Sequence, residues 1–100
     1  MIATIPRSQP DLIPGQRVLI RITATVLHEE GGYGYSVDYC GSCFLVPYRD
    51  AALIEAKLAH IQVQGTIIRQ TGIASFLVAY DGHELRVHAQ QIRAIEEAAR

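Results

Sequence analysis

A chain of 100 residues with 49% apolar and 19% charged side chains can bury one small core, which excludes a disordered polymer and leaves no room for a second sizeable domain. Nine Lys and Arg against ten Asp and Glu leave a formal net charge of -1, so no strongly basic or acidic tail advertises a partner. The longest wholly apolar run, Phe76 through Tyr80, is far short of the roughly 20 residues that cross a bilayer.

Three of the four prolines, Pro6, Pro10 and Pro14, fall within the first fourteen residues, where each fixes φ and removes a backbone donor. Residues 1–15 therefore read as an extended arm. Its Ile2, Ile5, Leu12 and Ile13 can dock on the domain or on a neighbouring subunit, which would make a homodimer. No basic segment followed by a long apolar stretch marks a secretory signal, so the expected location is cytoplasmic.

Beyond the arm, Val18, Ile20, Ile22, Ala24 and Val26 alternate with Arg17, Leu19, Arg21, Thr23 and Thr25, the period-2 pattern of a half-buried strand. Glycines at 31 and 32 supply a turn. A second strand puts Tyr33, Tyr35, Val37 and Tyr39 on one face, and a tight turn follows at Cys40-Gly41-Ser42-Cys43. A third strand runs over residues 44–48 with Phe44 and Val46 inward. Asp50 then suits the N-cap of a short helix over residues 51–60, striped by Leu53, Ile54 and Leu58.

The second half repeats the first. Shifting the sequence by 41 positions brings Ile20 onto Ile61, Thr25 onto Thr66, Gly31 onto Gly72, Val37 onto Val78, Tyr39 onto Tyr80, Gly41 onto Gly82, Val46 onto Val87 and Glu55 onto Glu96, without a gap. Ile61, Val63, Gly65 and Ile67 thus form the inward face of a strand, and Ala74, Phe76, Val78 and Tyr80 that of the next. Asp81-Gly82 makes the hairpin, and Leu85 and Val87 point inward from the last strand. A helix over residues 90–99, with Ile92 and Ile95, closes the copy. The expected fold is mainly β (α+β). Two pseudo-symmetric β-β-β-α repeats, residues 17–59 and 60–100, pair into a small six-stranded barrel or sandwich of OB-like or SH3-like size, with two short helices.

Over residues 16–89 the element order strand-strand-strand-helix-strand-strand resembles an OB-fold with a sixth strand appended. That resemblance implies a surface for oligonucleotides or saccharides. It is carried by element order, and no functional residue is transferred with it.

The sharpest chemical motif is the pair Cys40 and Cys43, whose spacing in a hairpin turn can grip a zinc ion as a knuckle. The aligned turn carries Asp81 and Glu84 in their place, so the hairpin itself does not depend on metal, and structural turn cysteines are the plainer reading. His83 and His88, five apart on one strand, point to opposite faces. His60 at a helix end is explained by the helix dipole, and His28 belongs to a solvated turn. Glu55 and Glu96 read as outward-facing helix formers. The chain has no nucleophile elbow, Walker sequence or glycine-rich phosphate cradle, so no catalytic role is assigned.

A polar face formed by Arg17, Arg21, Thr23, Gln62, Gln64, Arg86 and His88 could meet single-stranded nucleic acid. Against this, Tyr33, Tyr35, Tyr39, Phe44 and Phe76 fall on the apolar face, and a pI near 6.4 is low for a dedicated binder. The preferred reading is a non-catalytic small β-barrel adaptor that recognises another protein, of the kind found as bacterial, plasmid or phage accessory factors. Its expected contacts are Arg17, Arg21, Arg49, Arg69, Arg86 and Tyr48. The alternatives are an OB-like single-strand binder and an assembly protein stabilised by zinc on Cys40 and Cys43.

Overall fold

A computed structural model describes residues 12–95. It contains eight strands in one sheet: β1 (Arg17–Glu30), β2 (Gly34–Tyr39), β3 (Ser42–Pro47), β4 (Ala51–Glu55), β5 (Leu58–Gln70), β6 (Ser75–Tyr80), β7 (His83–His88) and β8 (Ile92–Ala94). Short 3-10 turns occupy Tyr48–Asp50 and Ala89–Gln91. All pairings are antiparallel, and the main path runs β3-β2-β1-β5-β6-β7. The sheet curls until its outer strands approach: the ring of Phe44 on β3 lies 5.6 Å from Tyr80 on β6 and 5.7 Å from His83 on β7. The result is a nearly closed barrel, mainly β as the alternation of the sequence requires.

Its interior is what the period-2 pattern places there. Val18, Ile20, Ile22, Ala24 and Val26 of β1 are buried, with Val37 and Tyr39, Phe44 and Val46, Ile61, Val63 and Ile67, Phe76 and Val78, Leu85 and Val87. Each aliphatic side chain withdrawn in this way contributes roughly 1.5–3 kcal/mol of hydrophobic stabilisation. Among the described residues no polar or charged residue is buried. Tyr33 departs from the expected apolar face and is exposed at the turn before β2.

Neither expected helix is formed among the described residues. Residues 51–60 instead make strand β4, a two-residue turn and the start of β5, because the period-2 face of β5 begins at Ala59, which is fully buried. There Leu58, Ala59 and His60 take Thr25, Ala24 and Thr23 as ladder partners. A ten-residue helix is costly to nucleate and would have left that stretch of β1 without a partner. The supposed apolar stripe accordingly ends outside, with Leu53 and Ile54 exposed. Asp50 caps nothing and belongs to a 3-10 turn that begins at Tyr48. In the second half, Gln90 and Gln91 complete the other 3-10 turn and residues 92–94 form β8, whose buried Ile92 pairs with Ile20. The remainder of that expected helix and residues 1–11 of the arm lie outside the described residues. Of the rest of the arm, Leu12 packs against the core and Gly15 donates its N–H to the Ile67 carbonyl at 2.8 Å.

Element boundaries recur at a constant offset. β2 and β6 begin 41 residues apart, at 34 and 75, and β3 with β7 and the two 3-10 turns keep the same spacing. Ladder irregularities fall between Val26 and His28, between Ile67 and Arg69, and on β4 between Leu53 and Glu55. Cys40 and Asp81 both hold positive φ, 52° and 49°, each followed by a glycine, as the two-residue hairpin turns that match strand twist require. The two short strands pair with the two long ones: β4 with β5, and β8 with β1.

Candidate binding groove

β1 and β5 run antiparallel side by side, and their outer faces carry what the core excludes. Opposed pairs there are Arg17 with Thr66, Leu19 with Gln64, Arg21 with Gln62 and Thr23 with His60. The Arg17 guanidinium donates to Gln64 Oε1 at 2.5 Å, and Thr23 Oγ1 lies 3.2 Å from His60 Nδ1. Over the middle of this face opens a groove of about 660 Å³. β1 and β5 make its floor through Arg21, Thr23, His60 and Gln62. The first 3-10 turn and the start of β4 form one wall through Arg49, Asp50, Ala51 and Ala52, and Gln90 of the second 3-10 turn reaches it from the other side.

Arg21 and Arg49 give the groove two cations against the single carboxylate of Asp50. Among the described residues the one ion pair is His28 with Glu30 at the far end of β1, so neither guanidinium is held by a carboxylate. His60 has the Thr23 hydroxyl as its partner and no carboxylate to orient its ring. That arrangement suits hydrogen-bonded recognition of an anionic or carbonyl-bearing ligand.

The residues expected to make contacts divide into separate places. Arg21 and Arg49 line the groove together, and Arg17 stands two positions beyond Leu19 on the same outer face of β1. Arg69 and Arg86 lie elsewhere, as the ladder partners of Leu77 on either side. Leu77 faces outward between the core residues Phe76 and Val78, yet it is only 7% exposed. Flanking arginine stems are suited to cover such a residue while their charged heads stay in water. Tyr48 is exposed beside the groove wall. Its hydroxyl donates to Glu29 Oε2 at 2.5 Å and its ring meets Tyr35 edge-on at 5.2 Å. The hydrogen bond to Glu29 is the main reason its phenol titrates above the ordinary value.

Two tyrosines at matching strand ends, Tyr39 and Tyr80, have raised pKa values. The Tyr39 hydroxyl lies 3.1 Å from the Arg86 carbonyl oxygen and 3.3 Å from Gln91 Oε1, and burial raises its pKa. Tyr80, at the matching position, is pushed up to about 12, first by burial and then by the charges of Tyr33, Asp50 and Asp81.

Cys40 and Cys43 are free and exposed, with Cys43 Sγ 3.8 Å from Asp38 Oδ1. Among the described residues no group of three His, Cys, Asp or Glu side chains stands close enough to share a metal ion, so the pair finds no further ligands there.

Asp50, Ala51, Ala52, His60 and Gln90 were not anticipated in a common site. The offset of 41 sets Arg21 against Gln62 and Arg49 against Gln90, all four of which line the groove, but alignment along the sequence does not by itself bring the two pairs together. No helix among the described residues is long and apolar enough to cross a membrane. Comparison with protein-family models, curated proteins and solved structures finds no match.

Proposed function

We infer that the protein is a non-catalytic binding module whose site is the groove over the β1–β5 pair, and that its partner is another protein. The observation that carries this reading is the convergence of Arg21 and Arg49, without a bound carboxylate, on an open hydrogen-bonding groove of about 660 Å³. Of the aromatic rings that could serve as stacking platforms for a single strand, Tyr33 is exposed at the turn before β2, outside the groove lining, and the others are turned to other work. Phe44 and Phe76 are in the core, and Tyr48 is engaged by Glu29 and Tyr35.

The same reading includes the origin of the groove. Two copies of a unit of three strands, a 3-10 turn and a closing strand meet about a pseudo-twofold axis at Arg21 and Gln62, and each copy lends its closing strand to the other. Neither copy could bury its apolar face alone, which is why they form one barrel. Divergence between the copies then specialises the axis: arginines stand at 21 and 49 where glutamines stand at 62 and 90.

The test is a selection of random peptides displayed on phage against the immobilised full chain, followed by binding of the selected peptides to the double variant Arg21→Glu, Arg49→Glu. Peptides that bind the wild type and lose about tenfold or more on that variant support the groove as a protein-recognition site. In parallel, labelled single-stranded DNA, single-stranded RNA and duplex DNA are titrated by anisotropy at low and moderate salt. Micromolar binding that weakens steeply with salt and disappears in the same variant would replace the protein reading with a nucleic-acid one.

A further inference from the structure

Resting on the groove reading, a second feature specifies how a protein partner would be held. β4 pairs with β5 along one side, and among the described residues nothing pairs with its other side. An unpaired strand edge presents a row of backbone donors and acceptors, and folded proteins usually blunt such edges with charge, with a bulge or by keeping them short. The molecule contains its own comparison. β8 occupies the matching position in the second half, is only three residues long and carries Arg93 at its centre. β4 has five residues, Ala51–Glu55, its one charge stands at the far end, and its ladder with β5 runs unbroken from Ala51 to Leu53 before it is interrupted ahead of Glu55. Between them Leu53 is 48% and Ile54 45% exposed. The strand is also continuous with the groove, because its first residues Ala51 and Ala52 line the same wall as Arg49 and face the floor at Arg21.

We propose that the open edge of β4 accepts an extended peptide as an added strand, the apolar residues of the peptide lying beside Leu53 and Ile54 and an acidic residue reaching Arg21 and Arg49 at the Ala51 end. Backbone hydrogen bonds along the edge supply sequence-independent affinity, and alternate side chains supply selection. The acidic residue belongs at the Ala51 end because two guanidinium groups outnumber Asp50 there, whereas Glu55 repels a carboxylate at the other end.

The test alters the ligand backbone, so the fold of the domain is untouched. The tightest peptide from the phage selection is synthesised with N-methyl groups on its odd-numbered amides and, separately, on its even-numbered amides. In an added strand alternate amides face the neighbouring strand, so one set should weaken binding by about tenfold or more while the other set binds nearly as the parent does. Replacing the peptide's acidic residue by its amide should weaken binding to the wild type and leave binding to Arg21→Glu, Arg49→Glu little changed. Equal tolerance of both methylated sets, with binding still lost in the arginine variant, overturns strand addition and leaves the groove standing. Binding indifferent to both the methyl groups and the arginine variant overturns both readings. Failure to enrich any peptide, or tighter salt-dependent binding of single-stranded DNA at the same arginines, also overturns the proposal.

Discussion

Arg21 on β1 and Gln62 on β5 face each other in the antiparallel ladder and stand 41 residues apart in the chain, the same interval that separates β2 from β6 and β3 from β7. An antiparallel pair has one place where a constant sequence offset and the ladder register coincide. Here that place is the floor of the groove. Because the two residues are chemically different, the surface above them is charged and asymmetric even though the strand boundaries keep a constant interval.

Arg21 and Arg49 are exposed and make no ion pair among the described residues, so charge reversal at both should leave stability within about 0.5 kcal/mol of wild type. Urea unfolding of the double variant checks this. A loss of several kcal/mol would show that the guanidinium groups hold the barrel together and would remove them as binding residues.

The glycine at 34 is demanded by close approach rather than by a special φ. A Cβ there would lie 1.8 Å from the Val46 carbonyl oxygen and 2.8 Å from Pro47 Cα, both rigid backbone. Gly34→Ala should therefore cost roughly 3 kcal/mol by forcing β2 and β3 apart. Gly31→Ala, where a Cβ meets nothing within 4 Å, should change stability by less than about 0.5 kcal/mol. Comparable denaturation midpoints for the two variants would contradict the packing described for that hairpin.

Ile20 and Ile61 are both buried, at 0% and 1% exposure, and their ladder partners across β1 and β5 are Val63 and Ile22. Truncating either to alanine should cost about 2–5 kcal/mol, and by similar amounts, because matching positions leave similar cavities. Thermal or denaturant unfolding of the two variants checks the equivalence; a nearly neutral result at one site alone would show that the halves are packed differently.

Cys40 holds a φ of 52°, a conformation that aspartate and asparagine tolerate better, and Asp81 fills the matching turn. Cys40→Asp should stabilise the protein by roughly 0.5 kcal/mol and remove one exposed thiol. Destabilisation by more than that, together with loss of bound zinc measured by atomic absorption, would show that Cys40 works as a metal ligand.

Tyr80 has a folded-state pKa of about 12 against an ordinary value of 10.0, so its neutral form is favoured by folding. The stability tied to that shift is complete below pH 10.0 and is lost as the pH rises toward about 12. Tyr80→Phe should flatten, though not abolish, the alkaline fall in stability, because Tyr39 and Tyr48 are shifted in the same direction. Tyrosinate absorbance titration of wild type and variant checks both the late transition and its removal.

The arm shows how the reading depends on packing. Its prolines announce an extended segment, and the sequence names Leu12 and Ile13 as equivalent candidates for docking. The fold separates them, with Leu12 against the core and Ile13 more than half exposed.

By itself the sequence determined the barrel's interior. Strict alternation from Val18 to Val26 and from Ile61 to Val63 fixes which side of each strand is buried, since side chains on a strand repeat every second residue. The hairpin turns were legible too: aspartate followed by glycine at Asp81-Gly82 suits two consecutive positive φ values, and Cys40-Gly41 adopts the same pair. Tertiary structure decided the fate of residues 51–60. Their spacing of Leu53, Ile54 and Leu58 fits a helix, but a long neighbouring strand offered backbone partners and a place for Ala59 in the core, and those gains outweigh the local preference of so short a segment. The groove was likewise beyond the sequence alone. Arg21 and Arg49 are far apart along the chain, and only the register of β1 on β5 and the turn before β4 bring them together.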